Sequence, residues 1–334
     1  MKPDHYAFRE IDRAIAMTKS ILIPFDIGVW VRLAIIAFFA GGAAGLLQFS
    51  TNPFSPEKSG IGTEIGSLIP QNSEAFISTL LIIAGILLFI GIIYLLLNGV
   101  FQFIFIKVLG TENIHIRRHF HESAGPGTRY FAFLFFLSAF FFGICLALAY
   151  LLFAPLIGTA SFDTAIVGRI LIFAGLMFIL LIPYLIILML TTDFVVPIMN
   201  VDRCGVIAGW RRCLHLFMAE RNEAALYIVM KLILSVCVSI ILSAVLVVVG
   251  IVAGIALIGI LIAAGGPENL STLAIAFIFA GYFAIVAFCG LMVSVPFMTF
   301  LRVYSLYVVG NFDERYVLLR DLPSPDAGEV TEKV

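Results

Sequence analysis

The chain alternates long apolar runs with short polar intervals, and six of the runs are long enough to cross a membrane. They lie at about 29–49, 75–106, 130–157, 170–192, 224–249 and 271–295. A membrane helix needs about 20 apolar residues to cross a hydrocarbon core of roughly 30 Å. The pattern therefore predicts an all-α fold: a polytopic helical membrane protein with six transmembrane helices in one bundle over 1–320. The polar tail at 321–334 is predicted to be disordered.

Two of the polar intervals themselves carry apolar residues at helical spacing. Residues 6–23 place Phe8, Ile11, Ala14, Ile15 and Leu22 in such a pattern. A second interval does the same with Val206, Ile207, Trp210, Cys213, Leu214 and Phe217. Both patterns are typical of amphipathic helices that lie in the membrane interface. Pro296 is predicted to start a further interfacial segment that continues to Tyr316.

The fifth apolar run continues far beyond one simple span. From 224 to 266 it would form a helix of about 64 Å, near twice the hydrocarbon thickness. Its second half is rich in glycine, so we expect the span to end at about 249. The extension over 250–266 is then re-entrant or packed on the outer face, and a seventh span is the remaining alternative.

Charge distribution predicts the orientation of the bundle. With 62% hydrophobic and 12% charged residues, the composition suits a bilayer, and the net charge of -1 gives no general attraction to nucleic acid. With six crossings, Lys58 and Arg169 are the cations on one side, and all other Lys and Arg lie on the side that holds both termini. By the positive-inside rule this side is cytosolic, which predicts an N-in/C-in protein of the plasma membrane.

Metal, cofactor and catalytic sites are not predicted. The five cysteines have no metal-binding or disulfide spacing and are expected to be reduced thiols. His115 and His119 are four residues apart, but Arg117 and Arg118 lie between them and raise the cost of bringing in a cation. We interpret this segment as a basic face at the lipid headgroups.

Three polar side chains share one face of the second span. Tyr94, Asn98 and Gln102 are spaced by four residues. Two interpretations stay open: the stripe belongs to a polar pathway, or it makes hydrogen bonds between helices.

A candidate lipid-headgroup face follows the fourth span. Asp193 comes directly after the apolar run, and Arg203, Arg211 and Arg212 come shortly afterwards. Their spacing permits a carboxylate–arginine pair at the headgroup level, either as a structural anchor or as a substrate site. Lys231 is close enough to a span end to reach the interface. No charged residue is therefore expected deep within a span, which argues against proton-coupled transport and intramembrane acid–base catalysis.

Short motifs resemble those of a known group of proteins. They are PFDIGVWVR at 24–32, VVPIM at 195–199 and GVIAGWRRC at 205–213. Together with six spans, they resemble a family of uncharacterised prokaryotic membrane proteins, similar to the membrane domain of some bacterial glycerophosphodiester phosphodiesterases. The resemblance implies an architecture only, because no phosphodiesterase catalytic domain is present, and it carries over no active-site residue.

Two classes of function are compatible with these patterns. The first is a non-enzymatic membrane scaffold or accessory protein, and the alternative is a lipid-handling or small-solute permeation protein. Membrane lipids are the expected partners, together with another membrane protein or a second copy of the chain. A dry bundle around the polar stripe would favour the scaffold, whereas a water-filled cavity reaching it would favour permeation.

Overall fold

The computed structural model describes residues 6–23, 25–41, 73–111, 116–154, 164–266 and 270–319, and all their regular structure is helical. The helices are α1 (Tyr6–Leu22), α2 (Ile27–Ala40), α3 (Ser73–Thr111), α4 (Ile116–Phe153), α5 (Thr164–Leu190), α6 (Val196–Asp202), α7 (Val206–Ala219), α8 (Arg221–Ala263) and α9 (Thr272–Phe312). A π-helical segment, Thr191–Val195, joins α5 to α6, and a short 3₁₀ turn, Glu314–Tyr316, follows α9.

The molecule has two regions that differ in burial. We call the described residues within 8–41, 98–134, 190–231 and 295–319 the lobe, because nearly all buried side chains belong to them. We call the remaining described parts of α3, α4, α5, α8 and α9 the shaft, where large apolar side chains are mostly exposed. An apolar surface of this extent is suited to lipid. The core therefore lies at one end of the helices.

Each long helix contributes one end to the lobe, and that end alternates along the chain. α3, α5 and α9 enter the lobe with their C-terminal parts, whereas α4 and α8 enter it with their N-terminal parts. α1 also packs in the lobe, where Arg9 Nη2 donates to Asn311 Oδ1 at 3.1 Å. The first and last helices therefore lie side by side.

Five helices within the described ranges are long and apolar enough to cross a membrane. α2 is apolar but has only 14 residues, about 21 Å, which is too short for a full span by itself. The rest of the predicted first span, 42–49, lies outside the described residues. So do Lys58 in the following loop and the predicted tail.

Three predicted span ends fall inside continuous helical structure. α8 continues from Arg221 to Ala263 without a break at 249, α9 passes through Pro296 to Phe312, and α5 continues through the π-segment into α6. The cost of glycine in a helix is mainly entropic and small for each residue, and membrane helices tolerate glycine because unpaired backbone groups are very unfavourable in a bilayer. The predicted extension over 250–266 is thus part of one helix up to Ala263, and its position relative to the membrane stays a prediction.

Close helix packing in the lobe depends on glycine. A Cβ atom on Gly99 of α3 would lie 2.6 Å from the Gly127 carbonyl oxygen, and one on Gly127 of α4 would lie 2.8 Å from Val100 Cα. Only a residue without a side chain lets the two backbones approach so closely.

The two amphipathic helices bury only part of their predicted apolar stripes in the lobe. In α1 the buried face contains Glu10, Ala14 and Met17, while Phe8 and Ile15 are exposed. In α7 the buried residues are Val206, Gly209 and Cys213, while Ile207 and Leu214 are exposed. Each apolar stripe is thus divided between the protein and the outside, since Ala14, Leu22, Val206 and Cys213 are buried while the rest of each stripe is half-buried or exposed. The predicted helices are confirmed, and their position in the membrane interface stays a prediction.

Candidate functional site: a buried ion cluster

The π-helical segment in the middle of the lobe places an aspartate and a free carbonyl side by side. In a π-helix each N–H bonds to the carbonyl five residues earlier, as Val196 N–H does to Thr191 O. The next donor in this series would be residue 197, which is a proline and has no N–H. Thr192 O is thereby left without a helical partner. Isolated π-helical turns within α-helices occur frequently at functional sites.

Arg302 of α9 forms a hydrogen bond with this carbonyl. Its Nη1 donates to Thr192 O at 2.8 Å and lies 3.7 Å from Asp193 Oδ1. The distance to the carboxylate is an ion-pair distance and is too long for a hydrogen bond. The irregular helix and the proline thus explain how α5 and α9 are joined in the lobe.

Lys231 of α8 completes the cluster. Its Nζ lies 3.2 Å from Asp193 Oδ2 and donates to the Leu301 carbonyl of α9 at 2.7 Å. The Tyr227 hydroxyl, one helical turn earlier on the same face, donates to Asp193 Oδ2 at 2.8 Å. Asp193, Lys231 and Arg302 have side chains only 5–7% exposed. We call these three side chains with Tyr227 the ion cluster.

Aromatic hydroxyls surround the ion cluster. The Tyr130 hydroxyl of α4 lies 3.0 Å from Thr192 Oγ1, and the Tyr227 ring stacks on Tyr304 at 5.9 Å between centroids. Four long helices, α4, α5, α8 and α9, therefore meet at this point. Such convergence gives the polar groups a rigid setting.

Charge and hydrogen bonding in the ion cluster do not balance. One carboxylate faces two cations, and Arg302 Nε and Nη2 are buried without a hydrogen-bond partner among the described residues. Buried charges are expensive unless they are paired and hydrogen-bonded. With Lys231 and Arg302 both protonated, the cluster therefore holds one positive charge in excess of its carboxylate, together with two unused donors.

The predicted polar stripe lies at the edge of the lobe, and all three of its side chains form hydrogen bonds with α2. Tyr94 donates to Phe38 O at 2.9 Å, Asn98 donates to Phe39 O at 2.6 Å, and Gln102 donates to Ala40 O. These carbonyls belong to the last turn of α2, where the carbonyl groups of a helix end need partners from outside it. The contacts agree with the interpretation as interhelical hydrogen bonds, and a role in a pathway stays a prediction.

The predicted headgroup face is not one site. Arg203, Arg211 and Arg212 are exposed, and Arg212 pairs with Asp202. The Asp202 carboxylate also accepts from the Tyr316 hydroxyl at 2.8 Å, and burial together with this bond raises the pKa of Tyr316 to about 12. Asp193 faces away from these arginines into the lobe, because the π-segment aims it at α8 and α9. The expected pairing of Asp193 with this surface was therefore wrong.

Sequence reasoning missed the partners of Asp193. Lys231 was expected to reach the interface, but its ammonium is directed into the protein, and Arg302 was placed in a separate interfacial segment after Pro296. A signal was present, because a lone Lys and a lone Arg interrupt apolar stretches of α8 and α9. Only the packing of the helices shows that both side chains lie beside Asp193.

The histidine pair that was considered and rejected as a metal site lies partly outside the described residues. Among the described residues no cluster of three or more His, Cys, Asp or Glu side chains could hold a metal ion. His115 and the side chain of His119 lie outside the residues whose positions are described. All five cysteines are free thiols, and Cys213 is buried.

Comparison with known proteins places the chain in a family. Residues 5–319 match the family described as "Family of unknown function (DUF7544)". The chain belongs to this family. No curated protein matches the chain, and no solved structure matches it. The family match includes no link to glycerophosphodiester phosphodiesterases, so that resemblance stays an expectation about architecture.

Proposed function

We propose that this protein is a non-enzymatic scaffold or accessory protein of the cell membrane. The supporting observation is the state of the polar stripe: Asn98 and Gln102 are each 5% exposed, and their amide groups bind the carbonyls of α2. A pathway for solutes needs polar groups that face water. Here those groups stabilise the junction between α2 and α3, as expected for a dry bundle.

We also propose six crossings with both termini in the cytosol. The lobe contains α1 and the end of α9, whereas α3 begins about 37 Å from Asn98 along its axis, at the far end of the shaft. The chain must therefore pass from one end to the other between Leu22 and Ser73. With the five long helices this makes six passages, an even number. The exposed Arg203, Arg211 and Arg212 on the lobe favour a cytosolic position for it.

The alternative function, lipid handling, is favoured by one specific observation. Arg302 has two buried donors without a partner among the described residues, and such donors suit an anionic headgroup. The same observation gives no support to solute permeation, because it does not connect to the polar stripe.

Reconstitution into liposomes separates the two functions. We expect the purified protein to leave small-solute flux and lipid scrambling at the level of empty liposomes. Gentle extraction followed by native mass spectrometry should then give the chain with a stoichiometric second polypeptide. Flux or scrambling that disappears in a folded Asn98→Leu/Gln102→Leu variant would contradict the scaffold proposal.

Cysteine labelling tests the orientation. In a variant that retains only Cys204, an impermeant maleimide should not label intact cells but should label permeabilised ones. A single cysteine at Ser59→Cys, outside the described residues, should react in intact cells. A second variant that retains only Cys213 serves as the buried control, because burial raises the pKa of this thiol to about 12 and leaves little thiolate. Labelling of Cys204 in intact cells would reverse the topology.

A further inference from the structure

We propose that the ion cluster binds a phosphate group that carries one negative charge, with Arg302 as its direct ligand. This proposal does not depend on the scaffold function. Its chemistry is shared by the phosphodiester of a membrane lipid and by monobasic inorganic phosphate, and titration with each of them separates these sources.

The first argument is the charge. Asp193 is one carboxylate facing two cationic side chains, Lys231 and Arg302, so the cluster carries a single excess positive charge when both are protonated. The nearby buried carboxylate of Glu10 does not change this count, because Arg9 and Arg13 already pair with it at 3.0 Å and 3.3 Å. A monoanion would neutralise the cluster, whereas a dianion would overcompensate it.

The second argument is the geometry of the unused donors. Nη1 of Arg302 is occupied by Thr192 O, while Nε and Nη2 make no hydrogen bond to any described residue. These two nitrogens form one edge of the planar guanidinium, and their N–H groups are parallel. This edge binds two oxygens of a phosphate or carboxylate in a bidentate manner. Thr192 O thus holds Nη1 of the guanidinium, while Nε and Nη2, the edge that binds oxyanions, are left for a ligand.

The third argument selects phosphate over carboxylate. Tyr130 and Thr192 share one hydrogen bond between their hydroxyls, so one O–H of the pair remains as a donor. It lies next to the carbonyl that holds Arg302. A carboxylate bound to the guanidinium edge keeps its remaining lone pairs close to the plane of that edge, whereas a tetrahedral phosphate also has oxygens outside the plane for a hydroxyl donor. The combined donor set therefore fits phosphate better.

The test uses the full chain, stripped of lipid in an uncharged maltoside detergent. Thermal unfolding is followed while inorganic phosphate or dihexanoyl phosphatidylglycerol is added, with sodium chloride at equal ionic strength as the reference. Three variants are compared with the wild type: Arg302→Gln, Arg302→Lys and, as a matched control, the exposed Arg212→Gln. Arg302→Gln leaves one carboxylate opposite one ammonium, so it is expected to fold.

We expect saturable stabilisation of the wild type by at least one of the two probes, beyond the effect of chloride. Arg302→Gln should weaken the apparent affinity by roughly a hundredfold, the factor for two lost charge-assisted hydrogen bonds. Arg302→Lys keeps the charge but loses the bidentate edge, and should weaken the affinity by about tenfold. Arg212→Gln should bind like the wild type.

The same titrations identify the source of the phosphate. Tighter binding of phosphatidylglycerol assigns a lipid headgroup, and tighter binding of inorganic phosphate assigns a soluble ligand. The proposal is overturned if neither probe stabilises the wild type beyond chloride, or if a folded Arg302 variant binds like the wild type. If Arg302→Gln does not fold, Arg302→Lys decides, since it preserves the charge.

Discussion

The two halves of α3 have the same apolar character and opposite surroundings. In the shaft, Leu81, Leu88 and Phe89 are each about two-thirds exposed, whereas Phe103, Ile104 and Ile106 in the lobe are 0–1% exposed. A Cβ atom on Gly91 would meet no atom within 4 Å, while one on Gly99 would collide with α4. Hydropathy alone does not distinguish a residue that faces lipid from one that faces protein.

What distinguishes the lobe is the placement of its small and polar residues. Since lipid tails are as apolar as leucine, helix association in a bilayer depends on close packing and on polar contacts between helices. Both occur in the lobe, in the Gly99–Gly127 contact, the polar stripe and the ion cluster. The shaft has fewer of them, for example the Ser138–Tyr184 hydrogen bond of 3.0 Å. We therefore expect substitutions in the lobe to affect stability more than those in the shaft.

The largest effect is expected at the ion cluster. Asp193→Asn removes the carboxylate that compensates Lys231 and Arg302, and breaking a buried ion pair in this way costs about 3–5 kcal/mol. SDS titration of the protein in mixed micelles measures the free energy of unfolding. Asp202→Asn, at the half-exposed pair with Arg212, is the control and should cost about 1 kcal/mol. Equal losses in both variants would mean that the cluster does not hold the lobe together.

A smaller effect is expected from the glycine contact between α3 and α4. Gly127→Ala would place a methyl group 2.8 Å from Val100 Cα, and overpacking of this kind costs about 1–3 kcal/mol. Gly91→Ala in the shaft meets no neighbour and should be neutral or slightly stabilising, because alanine favours the helix. The same SDS titration compares them. If Gly91→Ala were the more damaging substitution, the shaft would be packed against a partner in the membrane.

The smallest effect in this series is expected at the polar stripe. Asn98→Leu with Gln102→Leu removes the amide donors to Phe39 O and Ala40 O, and interhelical hydrogen bonds average about 0.6 kcal/mol each in a membrane protein. We expect a loss of roughly 1 kcal/mol with normal membrane insertion. Ser138→Ala in the shaft should cost less than this double change. An unchanged stability of the double variant would contradict the assignment of the stripe to the α2 junction.

Sequence reasoning could group the polar stripe but could not find the partners of Asp193. Tyr94, Asn98 and Gln102 could be grouped because their spacing puts them on one helix face, and the structure places them together. Asp193 was singled out correctly as unusual, but it was joined to neighbouring arginines in the chain. Its real partners, Lys231 and Arg302, are far away in sequence, and no local pattern connects them.

The sequence by itself determined that the protein is helical, apolar and built from long segments, because hydropathy and length act locally along a chain. It also contained the cause of the π-segment contact, since Pro197 cannot donate to Thr192 O. Only the tertiary structure decided which end of each helix is buried and which charges meet. Those outcomes depend on helix rotation and register, which close packing sets and which equally apolar faces leave open.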